Sequence, residues 1–127
     1  MKVTLFLKIQ AIYLAAIGGL SLLIPQAAGG RLGSLTAFDV FVARSLGAVL
    51  VTVAALDWVA STSPGPMLRP ALWANVFMNV TLGAIDTLAT ANATISASSW
   101  TGISIHALFT IGLLGYLLRG AESAPHR

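Results

Sequence analysis

The chain has 127 residues, of which 57% are hydrophobic and 9% charged, and its mean hydropathy is +0.87. Soluble domains carry about 25% charged residues, so this composition is typical of a membrane protein rather than a soluble domain. The net charge of +3 comes from single basic residues without a patch, which argues against nucleic-acid binding. The chain has no cysteine, which excludes disulfides and thiolate metal sites.

The first apolar stretch covers residues 3–24. Lys8 lies in its first third, where a long side chain can extend to the membrane interface. Pro25 ends the predicted helix, and a glycine-rich connector with one charge, Arg31, follows it. A cleavable signal peptide is the alternative interpretation of this stretch, but Pro25 and Gln26 fit a cleavage site poorly.

Three further apolar stretches cover residues 38–60, 71–92 and 100–118, before a hydrophilic tail at 119–127. Each stretch has about the 20 residues needed to cross a hydrocarbon core of roughly 30 Å. Lipid offers no partner to backbone polar groups, so such segments must be helices. The sequence therefore predicts an all-α membrane protein, a single domain of four transmembrane helices in an antiparallel bundle.

The basic residues predict the orientation of this bundle. Four spans put both termini on one side of the membrane, together with the loop after the second span. That side carries five of the seven basic residues, namely Lys2, Lys8, Arg69, Arg119 and Arg127. Arg31 lies on the other side and Arg44 within a span. The positive-inside rule then predicts a multi-pass protein of the plasma (inner) membrane with cytoplasmic N- and C-termini.

The third stretch is unusual because it carries a polar stripe. Asn75, Asn79, Gly83, Asp86 and Thr90 recur at helical spacing on one face, whereas the remaining positions are mainly apolar. Exposing these polar side chains to hydrocarbon is energetically costly, so this side of the helix must contact protein or water. Helix packing is the usual role of such asparagines, and a substrate path along the stripe is the alternative.

Three ionisable residues are predicted to lie at one depth. Arg44, Asp86 and His106 each lie six residues inside the outer end of their spans, which is roughly 9 Å below the outer interface. The first helix meets this layer at Gly18 and Gly19, where a neighbouring helix can approach closely. We interpret the three as a candidate polar pocket in the outer leaflet. In the alternative interpretation, Arg44 and Asp86 are an ion pair with a purely structural role, and His106 is hydrogen-bonded nearby.

Several short motifs are similar to those of small four-helix membrane proteins of bacteria close to the DoxX-like group. They are Pro25, Gly33, the step from Arg44 to Gly47, Trp58, Trp100 and His106. The resemblance covers nearly the whole chain and implies a four-helix membrane architecture. It also implies a membrane partner of oxidoreductase systems, some of them linked to quinones, although the family's glycine-then-lysine step is absent from the first helix.

We expect the protein to be an accessory or structural subunit of a larger membrane complex, or a homo-oligomer, surrounded by membrane lipids. The sequence contains no HExxH, phosphate-binding loop or GxSxG motif, so it predicts no catalytic residue, metal site or resident cofactor. The alternative function is small-molecule or proton handling at the candidate polar pocket. An enzyme acting on a lipid or quinone there ranks third.

Overall fold

The computed structural model describes residues 3–29, 35–62, 65–92 and 100–122. Within these ranges the protein is all-helical and has no strand, which confirms the predicted α class. Its helices are α1 (Val3–Leu23), α2 (Pro25–Gly29), α3 (Ala37–Thr62), α4 (Leu68–Ala91) and α5 (Trp100–Glu122).

Three of these helices are long and apolar enough to cross a membrane. They are α1, α3 and the part of α5 from Trp100 to Arg119. The 24-residue α4 is long enough to span but is not one of the three. Asn75, Asn79 and Asp86 lower its apolar character. The helices thus support membrane residence, while the fourth span remains a prediction.

Two segments differ from the loop and tail predicted for them. Residues Pro25–Gly29 form the short helix α2 instead of a glycine-rich connector, because proline suits the first turn of a helix and two alanines follow it. The last helix continues past Leu118 to Glu122, and Arg119 lies in its final turn, where a cation is favourable. Residues 30–34 and 93–99, which lie between the predicted spans, are outside the described residues.

The chain divides into two compact units, Met1–Pro64 and Gly65–Arg127. In the first unit, buried positions on α1 and α3 recur every three or four residues, which gives each helix one packing face. The two faces meet at a pair of glycines. A methyl group added at Gly18 would lie 2.8 Å from the carbonyl oxygen of Gly47. The glycines therefore allow the two backbones to touch.

Two polar contacts of the first unit lie towards opposite ends of α3. The Lys8 ammonium lies 5.7 Å from the centre of the Trp58 ring, a cation–π contact. With Gly18 against Gly47, this contact shows that α1 and α3 are antiparallel. At the other end of α3, Thr36 and Asp39 form a capping box: the Thr36 backbone N–H donates to Asp39 Oδ2 over 2.8 Å, and the Asp39 N–H donates to Thr36 Oγ1 over 3.2 Å.

The second unit consists of α4 packed on α5. Leu72 and Val76 are buried on α4, and Leu113 and Leu117 are buried on α5. Both pairs have a spacing of one helical turn, so each helix presents an apolar stripe near one end of the unit. Towards the other end, polar side chains replace these leucines and valine, and they form the candidate site.

Candidate functional site

The candidate site is the contact between His106 of α5 and the polar stripe of α4. Asn79, Gly83 and Asp86 follow one another at intervals of four and three residues, so all three lie on one face of α4. His106 lies against this face and extends along two turns of α4. Because Asn79 and Asp86 are seven residues apart, the helical period places the amide and the carboxylate on the same side of α4, where both can contact His106.

Asn79 contacts one ring nitrogen of His106. Its Oδ1 lies 2.9 Å from His106 Nδ1, a hydrogen-bond distance. The Asn79 amide is also held by its own helix, because Nδ2 donates to the carbonyl oxygen of Asn75 over 2.9 Å. Since Asn79 is 2% exposed, this contact is screened from the surroundings.

Asp86 contacts the other ring nitrogen. Its Oδ2 lies 3.7 Å from His106 Nε2, within ion-pair range but beyond the length of a hydrogen bond. The His106 side chain is 11% exposed and the Asp86 side chain 35% exposed. The imidazole is thus the covered member of the pair, and the carboxylate is the one that the surroundings can reach.

Two glycines, Gly83 on α4 and Gly102 on α5, lie next to Asp86 and His106 and leave room for their side chains. A methyl group added at Gly83 would lie 3.3 Å from His106 Cβ, so even this small side chain would crowd the histidine. One added at Gly102 would lie 3.5 Å from Asp86 Oδ2. The two helices therefore approach each other closely where the polar groups meet. An imidazole and a carboxylate so placed can share a proton or receive hydrogen bonds from a small ligand.

The three residues of the predicted polar pocket fall in different units. Asp86 and His106 meet within the second unit. Arg44 belongs to α3 of the first unit, where its side chain is exposed. An ion pair between Arg44 and Asp86 therefore remains a prediction.

Two other members of the predicted stripe lie on either side of the His106 contact. Asn75 is 1% exposed, and its Nδ2 donates to the carbonyl oxygen of Ala71 over 2.9 Å. Thr90 is half-buried, and its Oγ1 has no hydrogen-bond partner in the described part of the chain. The contact of the stripe with His106 thus lies between these two residues, at Asn79, Gly83 and Asp86.

Sequence reasoning missed three features of these polar residues. The sequence places Asn79 in the stripe but does not link it to His106, and the predicted site does not include Gly102. Gly102 lies one turn before His106, so its place on the α4-facing side of α5 follows from the helical period. Gln10 of the first unit, a polar residue in the first half of the first span, is fully buried.

Comparison of the chain with family models, curated proteins and solved structures gives no match. The resemblance to the DoxX-like group therefore remains a prediction. The candidate site stands on its own geometry.

Proposed function

We propose that this protein crosses the inner membrane four times with both termini in the cytoplasm, as an antiparallel four-helix bundle. We also propose that it acts as an accessory or structural subunit of a larger membrane complex or homo-oligomer. The three apolar helices and the excess of basic residues on one side support the first proposal. The fourth span is α4, whose polar stripe would face protein.

The position of Arg44 within an apolar helix supports an assembly role most directly. Arg44 lies seven residues into α3, roughly 10 Å along the helix axis, among exposed apolar residues such as Phe41 and Val42. An arginine at the centre of a span costs about 2.5 to 3.5 kcal/mol on membrane-insertion scales unless it is paired or reaches water, and Arg44 lies between the end and the centre of its span. No described residue of the first unit forms an ion pair with it. We propose that its acceptor lies outside that unit, in a second copy or in a partner subunit, with Asp86 as the alternative within the chain.

Purification in mild detergent or lipid nanodiscs tests the assembly role. We expect the wild-type protein to elute as a complex or an oligomer, and the Arg44→Leu variant to lose that association. Ser45→Ala is the matched control, because Ser45 is the exposed neighbour of Arg44 and carries no charge. A wild-type protein that elutes as a monodisperse monomer would contradict the proposal.

A second candidate function is the handling of a proton or of a small polar molecule, such as a quinone or lipid headgroup, at Asp86 and His106. The contact between the imidazole, the Asp86 carboxylate and the Asn79 amide favours it, because ionisable groups inside a membrane usually mark a functional pathway. The test combines Arg44→Leu, Asp86→Asn and His106→Gln. Ligand binding or a cellular phenotype that survives the triple replacement would eliminate this candidate.

A further inference from the structure

We infer that Asp86 and His106 together bind a single proton between Oδ2 and Nε2, while Asn79 keeps the opposite ring nitrogen, Nδ1, protonated at all times. This inference rests on the second candidate function and identifies the ligand of its site as a proton. It follows from the hydrogen-bonding capacity of three side chains, taken one at a time.

The first step is the orientation of the Asn79 amide. Its Nδ2 donates to the backbone carbonyl of Asn75 over 2.9 Å, and a carbonyl oxygen can only accept. The amide orientation is therefore fixed, with the Oδ1 acceptor turned towards His106. Asn75 makes the same bond to Ala71, which shows that the pattern is regular along this part of α4.

The second step assigns the hydrogen on the imidazole. Asn79 Oδ1 lies 2.9 Å from His106 Nδ1 and offers only lone pairs, so Nδ1 must be the donor. A neutral imidazole has one ring N–H, and here Nδ1 carries it. Nε2 of the neutral ring is then a bare acceptor.

The third step concerns what Nε2 faces. Asp86 Oδ2 lies 3.7 Å away, and an ionised carboxylate is also only an acceptor. With no proton between them, two lone pairs oppose each other. One proton gives either an imidazolium beside a carboxylate or a carboxylic acid that donates to Nε2. Charge-assisted bonds of this kind are about 2.7 to 2.9 Å long, so proton binding would also shorten the gap by roughly 1 Å.

The two arginines of the second unit that the structure describes lie far from this proton along the helix axes. Arg69 lies ten residues before Asn79 on α4, roughly 15 Å along the helix axis. Arg119 lies thirteen residues after His106 on α5, roughly 20 Å away by the same measure. Asp86 is the more exposed member of the pair, so we expect the proton to enter and leave through its carboxylate. No other bond is made or broken.

Nitrogen-15 NMR of the full-length protein in lipid bilayers tests the inference, because imidazole shifts report which nitrogen carries hydrogen. The chain has two histidines, so the His126→Gln background leaves one signal set. We expect Nδ1–H at every pH in this background, with Nε2 gaining its proton as the pH falls. In Asn79→Leu, the neutral ring should change to the Nε2–H tautomer, because Nε2 can then donate to Asp86.

Asp86→Asn tests the shared proton. The new amide can donate to the bare Nε2, so we expect Nε2 to lose its added proton at a pH where the wild-type pair retains it. Thr87→Val is the control, since Thr87 is the exposed neighbour of Asp86 and bonds only to its own helix at the Gly83 carbonyl. This control should keep the wild-type spectrum.

Two results would overturn the inference: a neutral wild-type ring protonated at Nε2, or an Asp86→Asn variant that keeps the added proton as the wild type does. Either would leave ligand binding at these residues open. Conversely, wild-type function in an Asp86→Asn variant that has lost the proton would remove the second candidate function and leave the proton site intact.

Discussion

The two ring nitrogens of His106 face chemically different partners, and this asymmetry is the main residue-scale feature of the protein. Asn79 lies at Nδ1 over 2.9 Å, and Asp86 lies at Nε2 over 3.7 Å. The contact with Asn79 is a hydrogen bond that orients the ring, whereas the contact with Asp86 is too long for a hydrogen bond and can shorten when a proton binds. A histidine held in this way can respond to protonation without losing its anchor.

Gly83 lies between these two partners on α4, and we predict that the ring position depends on it. Gly83→Val should crowd His106, because even a methyl group there would lie 3.3 Å from its Cβ. Overpacking of this kind typically costs about 1 to 3 kcal/mol. Thermal unfolding in detergent measures the loss, and the ¹⁵N spectrum of His106 should change with it.

The matched control is Gly115→Val, on the same unit. A methyl group at Gly115 would have no neighbour within 4 Å, yet the change from glycine to valine alters the helix propensity by the same amount as at Gly83. Equal losses in the two variants would show that the backbone, and not the histidine, sets the effect at Gly83.

Arg44 and Asp86 give a second residue-scale prediction. If they pair, Arg44→Leu and Asp86→Leu should each lower the thermal stability of the detergent-solubilised protein, and the double variant should recover much of the loss. Breaking a fully buried pair costs about 3 to 5 kcal/mol. We expect less here, because the Asp86 side chain is 35% exposed. Additive losses would mean that the two side chains do not meet. The His106→Ala change should lower thermal stability less than Arg44→Leu or Asp86→Leu, because removing a neutral imidazole leaves no unpaired charge behind.

At the scale of the elements, the contact between α1 and α3 depends on a glycine pair. We predict that Gly18→Ala weakens this contact by about 1 to 3 kcal/mol, since its new methyl group would lie 2.8 Å from a backbone oxygen that no rotamer change can move. Unfolding of the purified protein measures the cost. Gly47→Ala should behave alike, because its methyl group would lie 2.7 Å from the Gly18 oxygen.

Gly19→Ala provides the control for this pair. A methyl group at Gly19 would meet nothing within 4 Å, and alanine is the better helix former. We therefore expect this variant to be at least as stable as the wild type. A loss equal to that of Gly18→Ala would contradict a specific role for the Gly18 contact.

At the scale of the whole molecule, the four-span topology can be tested directly. The chain has no cysteine, so single replacements can be labelled without background. We expect Gly65→Cys to react only from the cytoplasmic side, and Gly30→Cys and Ser98→Cys only from the periplasmic side. The physical reason is the excess of basic residues on the side of Gly65. Labelling of Gly65→Cys from the periplasm would overturn the orientation.

The sequence by itself determined the class of this protein and the approximate extent of its long helices. Hydropathy and charge are properties of neighbouring residues, and lipid leaves an apolar segment little choice but a helix. Span 3–24 corresponds to α1 (Val3–Leu23), and span 38–60 to α3 (Ala37–Thr62). The short helix α2 escaped prediction because a proline that ends one helix can also begin the next.

Only the tertiary structure decided which residues touch. Depth estimates put Asp86 and His106 in one layer, but they assigned no partner to either ring nitrogen and gave no role there to Asn79. They also treated Gly18 and Gly19 alike, although one lies against a backbone and the other has open space. Such differences depend on the rotation of each helix about its axis, which the packing of a whole face sets and which no single stretch of sequence specifies.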